Sequence, residues 1–376
     1  MTTRERILSV YRGETPDAVP FMLDLSHWFY HRFHRPWDLS RAYESPESDL
    51  IAYHRAVGAG FYMPNLGSFY RTAFPADVEA GTRKISVNGA DEIAWTLRTA
   101  RGVIERRRRW EEQTYAWGMS QWGVRTEDDL RVFGDAMARR TFSPRWEQYE
   151  AWAREVGDLG VVYLGAGYSA IGQLLNYWMG IEGVMYAVAD WPDTMREVVD
   201  RVNANNLELI DLLARSPAPV IGMGDNFSSD IQSPPFFAEW SRAYYTEAIR
   251  RLHAAGKRVS VHIDGRLRGA IRMLADCGID CVDAVTPKPM GDVDPEACRD
   301  EAGPDVILSG GVSPDLWYAS VPERDFTAAV RAWLALKRRS PRLIAAAGDQ
   351  VPPGADEGRI RLMRDLVETE GRYGSL

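Results

Sequence analysis

Cysteine is scarce: Cys277, Cys281 and Cys298 are the only three in 376 residues, an odd number with no Cys-x-x-Cys pair. That spacing argues against both a disulfide framework and a thiolate zinc site. Cys277 and Cys281 are expected to be a buried small residue at a helix end and another entering a strand. Long apolar runs are lacking as well. None approaches the ~20 residues needed to cross a bilayer, and Met1-Thr2-Thr3-Arg4-Glu5-Arg6 has no apolar signal-peptide core, so no membrane contact and a cytoplasmic location are expected. Positive charge is in deficit. The net charge of −8 opposes phosphate backbones, and the one dense basic run, Arg106, Arg107, Arg108 and Arg109, stands among Glu105, Glu111 and Glu112 as a solvated face would. A nucleic-acid partner is not expected.

What is present fits a well-packed globular chain, with 45% hydrophobic and 26% charged residues, too apolar for extended disorder. Thirteen Trp, sixteen Tyr and twelve Phe make a heavy aromatic load, clustered around Trp28, Phe29 and Tyr30 and again from Trp110 to Trp122. Such side chains either wall a roomy pocket for an organic ligand or simply fill core and lid.

Eight short apolar runs read as strands: 20–23, 60–63, 161–164, 220–224, 258–262, 281–284, 306–309 and 343–346. Most are too apolar to keep a solvated face, as buried parallel strands are. Helical periodicity fills the intervals. Ser45-Pro46-Glu47 opens one helix, residues 235–255 carry Phe236, Phe237, Trp240, Tyr244, Ile249 and Leu252 before Gly256, and 267–278 and 322–337 follow. Eight strand and helix units favour an α/β fold, a closed (β/α)8 TIM barrel forming a single domain over 1–376. The missing Gly-x-Gly-x-x-Gly after the first strand weakens a dinucleotide-binding alternative. One stretch departs from the alternation: 85–97 alternates around Asn88-Gly89, a hairpin signal, and Thr126-Glu127-Asp128-Asp129-Leu130 starts a helix. Residues 70–144 are therefore expected to form a β-rich excursion between strands two and three.

Chemistry in such barrels sits at the C-terminal strand ends. These offer Asp24 and His27 from strand one, Asn65 from two, Tyr163 from three, Asp225 and Asn226 from four, His262 and Asp264 from five, Asp283 from six, and Asp349 and Gln350 from eight. His262 and Asp264, two apart on extended chain, point the same way. They either bind a metal, form an acid/base pair, or serve structure, with Asp264 capping the next helix. Asp225 and Asn226 suit orientation of a polar ligand and equally a turn. His253, in mid-helix, reads as structural.

Over nearly its whole length the sequence resembles the uroporphyrinogen decarboxylase superfamily. The resemblance lies in Thr3-Arg4-Glu5-Arg6-Ile7-Leu8 through Gly13-Glu14-Thr15-Pro16-Asp17-Ala18-Val19-Pro20, Gly224-Asp225-Asn226, Ser233-Pro234-Pro235-Phe236-Phe237, Gly256-Lys257, and His262 with Gly265. It departs from the authentic decarboxylases, which carry an Arg-Gln-Ala-Gly-Arg stretch after strand one and an Asp after strand two. Here stand Asp24-Leu25-Ser26-His27-Trp28 and Met63-Pro64-Asn65, and an acidic mouth repels a substrate bearing many carboxylates.

The resemblance instead implies the corrinoid-dependent methyltransferase branch, whose His-x-Cys and later Cys bind zinc. At the matching positions stand His262, Asp264 and Asp349, a harder ligand set for a divalent metal, zinc first. It implies a methyl transfer between a small methylated compound or a methyl-corrinoid protein and a folate or thiol. His262, Asp264 and Asp225 would be catalytic, and Asn226, His27, Asn65, Tyr163 and Gln350 would contact substrate. With no Asp-x-His-x-x-Gly in the chain, any corrinoid arrives on a partner protein, and a homodimer is expected by analogy. Two other readings stay open: a lyase decarboxylating or cleaving a small aromatic or heterocyclic acid, and a non-catalytic ligand- or corrinoid-partner-binding protein.

Overall fold

A computed structural model describes residues 1–35, 37–40, 43–63 and 69–374. Eight short parallel strands follow one another: Met22–Leu23, Gly60–Phe61, Leu164–Gly165, Val220–Phe227, Arg258–Ile263, Cys281–Val285, Ile307–Val312 and Leu343–Ala347. The last six hydrogen-bond in chain order, and the first two pair with each other. Single parallel bridges, Phe21 to Ala345 and Phe61 to Gly160, join these two groups at both seams and close the barrel. The eight expected strands are thus the eight observed, each shifted by a few residues at most.

The seam beside the second strand explains two glycines. A Cβ on Gly60 would lie 2.3 Å from the carbonyl oxygen of Phe21, and one on Gly160 would lie 2.3 Å from that of Phe61. Backbones approach there too closely for any side chain. Gly160→Ala is expected to destabilise the fold by about 3 kcal/mol through overpacking, read as a lower midpoint in urea unfolding followed by tryptophan fluorescence. An unchanged midpoint would show that the seam can yield.

The N-terminal helix, Thr3–Arg12, starts with a capping box between Thr2 and Glu5 and ends at left-handed Gly13. Its Ile7, Val10 and Tyr11 pack against Val220, Cys281 and Ile307, the residues that begin or nearly begin their strands, together with Met22 and Ile344. That apolar plug seals the N-terminal end of the barrel and leaves the opposite end for chemistry. All three cysteines are free and buried.

Helix boundaries differ in places. The helix expected at Ser45 begins at Ser48, leaving Pro46 outside it. The long helix expected over 235–255 is two, Pro234–Trp240 and Arg242–Ala254, broken where Ser241 leaves helical geometry and donates to Gln232 at 2.9 Å.

The excursion has a neck and a head. In the neck, Tyr70–Ala73 pairs antiparallel with Thr141–Pro144. The head is a four-stranded antiparallel sheet of Glu79–Val87, Ala90–Thr99, Gly102–Glu111 and Ala116–Gln121, followed by helix Glu127–Met137. Asn88 and Gly89, at φ of 53° and 79°, make its first tight turn, and Thr126 caps the helix as expected. The basic run is not a simple solvated face. Arg107 and Arg109 pair with Glu105 and Glu92, while Arg106 lies 4.1 Å over Trp95 and within about 5 Å of Tyr177 and Trp178. Among the described residues no helix is long and apolar enough to cross a membrane.

Candidate active site

Register builds the centre of the site. In the parallel sheet, His262 on the fifth strand lies beside Gly224 of the fourth and Asp283 of the sixth. Its Nδ1 donates to Asp283 Oδ2 at 3.2 Å, and the same carboxylate oxygen accepts the Tyr62 hydroxyl. Burial, followed by the Asp283 charge, holds the Tyr62 hydroxyl well above its usual range, so it stays protonated and donates. On the other side of the imidazole, Nε2 is 4.0 Å from Asp349 Oδ1. Burial works against a charge on His262, but the Asp283 hydrogen bond and the carboxylates of Asp349, Asp283 and Asp264 outweigh it. The imidazole is pushed up to about 9 and is an imidazolium at neutral pH.

The strands on either side of His262 are irregular. Pairing jumps from Gly224 to Phe227 on the fourth strand and from Val282 to Val285 on the sixth, so both carry bulges. Asn226 and Ala284 lie in them at φ of 50° and 61°, conformations costly for residues other than glycine. Asn226 and Asp283 fall within these irregular stretches.

His262, Asp283 and Tyr62 form one end of a cavity of about 350 Å³. Its aromatic wall is built by Tyr70, Phe142, Tyr163, Tyr168 and Tyr177, and its polar groups include Arg140, Asn206 and Asn226. Tyr168 donates to Asn226 at 2.9 Å and meets Tyr177 edge to face. Beneath His262 a recess of about 10 Å³, water-sized, is bounded by Asp24, Asp283 and Asp349. Asp24 Oδ1 accepts Ser26 N and Oγ at 2.9 and 2.6 Å, while its buried Oδ2 has no hydrogen-bond partner among the described residues. Burial, reinforced by Asp349 and Asp283, lifts this carboxyl to about 7.

The expected site residues divide into several groups. His262, Tyr163 and Asn226 line the cavity, and Asp349 lines the recess. Asp264 is exposed, its backbone N–H bonded to Phe227 O, and it acts on His262 through charge rather than contact. It does not cap the next helix, whose N-cap is Gly269. Asp225 is buried outside the cavity lining, taking the backbone N–H and hydroxyl of Ser169, the N-cap of helix Ala170–Gln173. Burial raises it to about 6 against those bonds. It positions the loop after strand three.

His27 and Gln350 are likewise outside the lining. His27 donates to Tyr115 O at 2.8 Å and stacks on Trp37, tying the excursion to the barrel. Asn65 lies outside the described residues. His253 pairs with Asp280 at a helix end. Sequence reasoning missed Tyr62 and Arg140, and it named Asp283 only as a strand end.

The metal expectation meets an unfavourable arrangement. Among the described residues no group of three or more His, Cys, Asp or Glu side chains is placed to hold a metal ion. Asp264 is exposed and makes no ion pair with His262 among the described residues. As arranged, these three do not fit a metal.

The family model described as "Uroporphyrinogen decarboxylase (URO-D)" matches residues 144–370. No curated protein matches the sequence. Among solved structures, a methyltransferase from Methanosarcina mazei superposes with a TM-score of 0.62 at 15% identity, covering 98% of this chain and 99% of that one. A D-psicose 3-epimerase from Clostridium cellulolyticum H10 gives a TM-score of 0.38 at 12% identity, covering 60% and 84%.

Proposed function

Because the chain belongs to the uroporphyrinogen decarboxylase family, we propose that it is a methyltransferase-type enzyme in which His262 protonates the atom that gives up a methyl group. The observation that carries the reading is a charged imidazole, clamped by Asp283, at the end of an aromatic cavity. The full-length likeness to a methyltransferase supports the choice among family chemistries.

In the reaction the bond between the methyl carbon and its heteroatom breaks. The carbon passes to the acceptor's electron pair, and the heteroatom keeps its own pair and takes the Nε2 proton. Asp283 keeps the ring oriented and charged until that moment. A cavity of about 350 Å³ holds one ring-sized substrate, since about 150 Å³ accommodates benzene. A folate or a partner-borne corrinoid therefore presents itself at the mouth. A bound corrinoid would supply the nucleophile that accepts the methyl group.

The test is purified protein with reduced cobalamin and a panel of aromatic methyl ethers, thioethers and methylamines. Methylated cobalamin and demethylated product in equal amounts are expected. Carbon dioxide released without any acceptor would instead identify the decarboxylating alternative, in which the same proton goes to carbon. Neither product, with ligand binding intact, would leave a binding protein.

A further inference from the structure

Arg140 joins the end of helix Glu127–Met137 to the neck strand Thr141–Pro144. It is only 9% exposed, yet it makes no ion pair with any described residue. Buried guanidinium groups ordinarily have a counter-charge, because removing one from water unpaired is costly. Neutral acceptors fix its near side. Nε donates to Met137 O at 2.7 Å and Asn205 Oδ1 at 3.2 Å, and Nη2 donates to Asn206 Oδ1 at 2.6 Å. Phe142 lies 5.4 Å beneath the guanidinium. Glu208 reaches Asn205 at 3.4 Å and not the arginine. Nη1 has no hydrogen bond among the described residues, and the side chain lines the cavity that also contains His262.

We propose that Arg140 binds a carboxylate of the substrate, so that the cavity takes a small aromatic monocarboxylic acid with its reacting group toward His262. The cavity is electrically polar. A cation without a counter-ion stands among Tyr70, Phe142 and Asn206, and the carboxylates Asp283 and Asp349 surround the imidazolium elsewhere in the site. An anionic group is drawn to Arg140 and repelled from the acidic end, which sets the ligand's direction. One free guanidinium nitrogen serves one carboxylate, consistent with a mouth unsuited to polyacids. The proposal rests on His262 as the reacting end only for the ligand's orientation.

The test uses benzoate and its uncharged counterpart benzamide, titrated calorimetrically into wild type, Arg140→Gln, Arg140→Lys and His262→Gln. Wild type is expected to prefer benzoate by about 10- to 100-fold, the range of a buried charge-assisted hydrogen bond. Arg140→Gln should remove the preference. Arg140→Lys should retain part of it, because the charge stays and the fork is lost. His262→Gln should keep it. The ratio of the two ligands on one protein is insensitive to modest loss of folded material, and Arg140→Lys covers the case in which the glutamine variant does not fold. Equal binding of benzoate and benzamide to wild type, or an undiminished preference in Arg140→Gln, would overturn the assignment. An Arg140-dependent preference without methyl transfer would leave the substrate class standing and remove the proposed reaction. Methyl transfer without any benzoate preference would do the reverse.

Discussion

His262→Gln is expected to lower kcat by about 10²- to 10⁴-fold, the range over which a positioned general acid acts, while benzoate still binds. Glutamine carries no titratable proton, and Asp283 keeps the Tyr62 hydroxyl as a donor, so the acid is lost without leaving that carboxylate unpartnered. The wild-type rate should be flat near neutrality and fall as pH rises through about 9, where the imidazolium deprotonates. The variant should lack that limb. A variant retaining more than a tenth of wild-type turnover would mean that His262 transfers no proton in the slow step. Tyr62, whose hydroxyl is committed to Asp283, is not placed to replace it.

The barrel is legible in sequence because parallel strands buried on both faces must be continuously apolar. Val220 and Ile221, Val259 and Val261, and Leu343 and Ile344 are all buried. Their ends are less legible. Asp225-Asn226 reads as a turn and is instead a bulge inside the fourth strand, because sheet register, set by partners dozens of residues away, decides between them. The same dependence hid the reach of the His262 cluster. Asp283 is readable as a strand end, but its bond to Tyr62 joins positions 221 residues apart.

The family resemblance implies a catalytic Asp225, while the residue itself suits orienting a ligand or making a turn. In the fold it holds Ser169 of the preceding barrel unit, a partner that lies 56 residues away and is not readable in sequence. Arg140 had no local cue. It follows Arg139, which is paired with Asp77 and Asp135, and only the packing of the excursion neck against the barrel buries one arginine and leaves its neighbour exposed to partners.

Asp283→Asn separates the acid's charge from its presence. With Asp283 neutral, the hydrogen bond that most strongly raises His262 is gone together with the Asp283 charge, and its pKa should fall from about 9 toward the ordinary 6.5, although Asp349, whose charge acts more strongly than that of Asp283, and Asp264 retain part of the rise. At pH 8 an imidazole of pKa 9 is about 90% protonated and one of pKa 6.5 about 3%, so turnover should drop by up to about 30-fold. At pH 6 both are mostly protonated, and the two rates should nearly converge.

Stability should follow the opposite course. A histidine whose folded pKa lies above its unfolded value contributes stability that is fully present below about 6.5 and lost as pH rises through about 9. This contribution to the difference in unfolding free energy between wild type and variant is therefore largest near pH 6 and fades toward pH 9, while the difference in rate grows between pH 6 and 8. A general loosening of the site would move both differences together. Rate measurements at pH 6 and 8 beside urea unfolding at pH 6 and 9 distinguish the two, and an activity deficit of the same size at pH 6 and 8 would show that Asp283 does not act by keeping His262 charged.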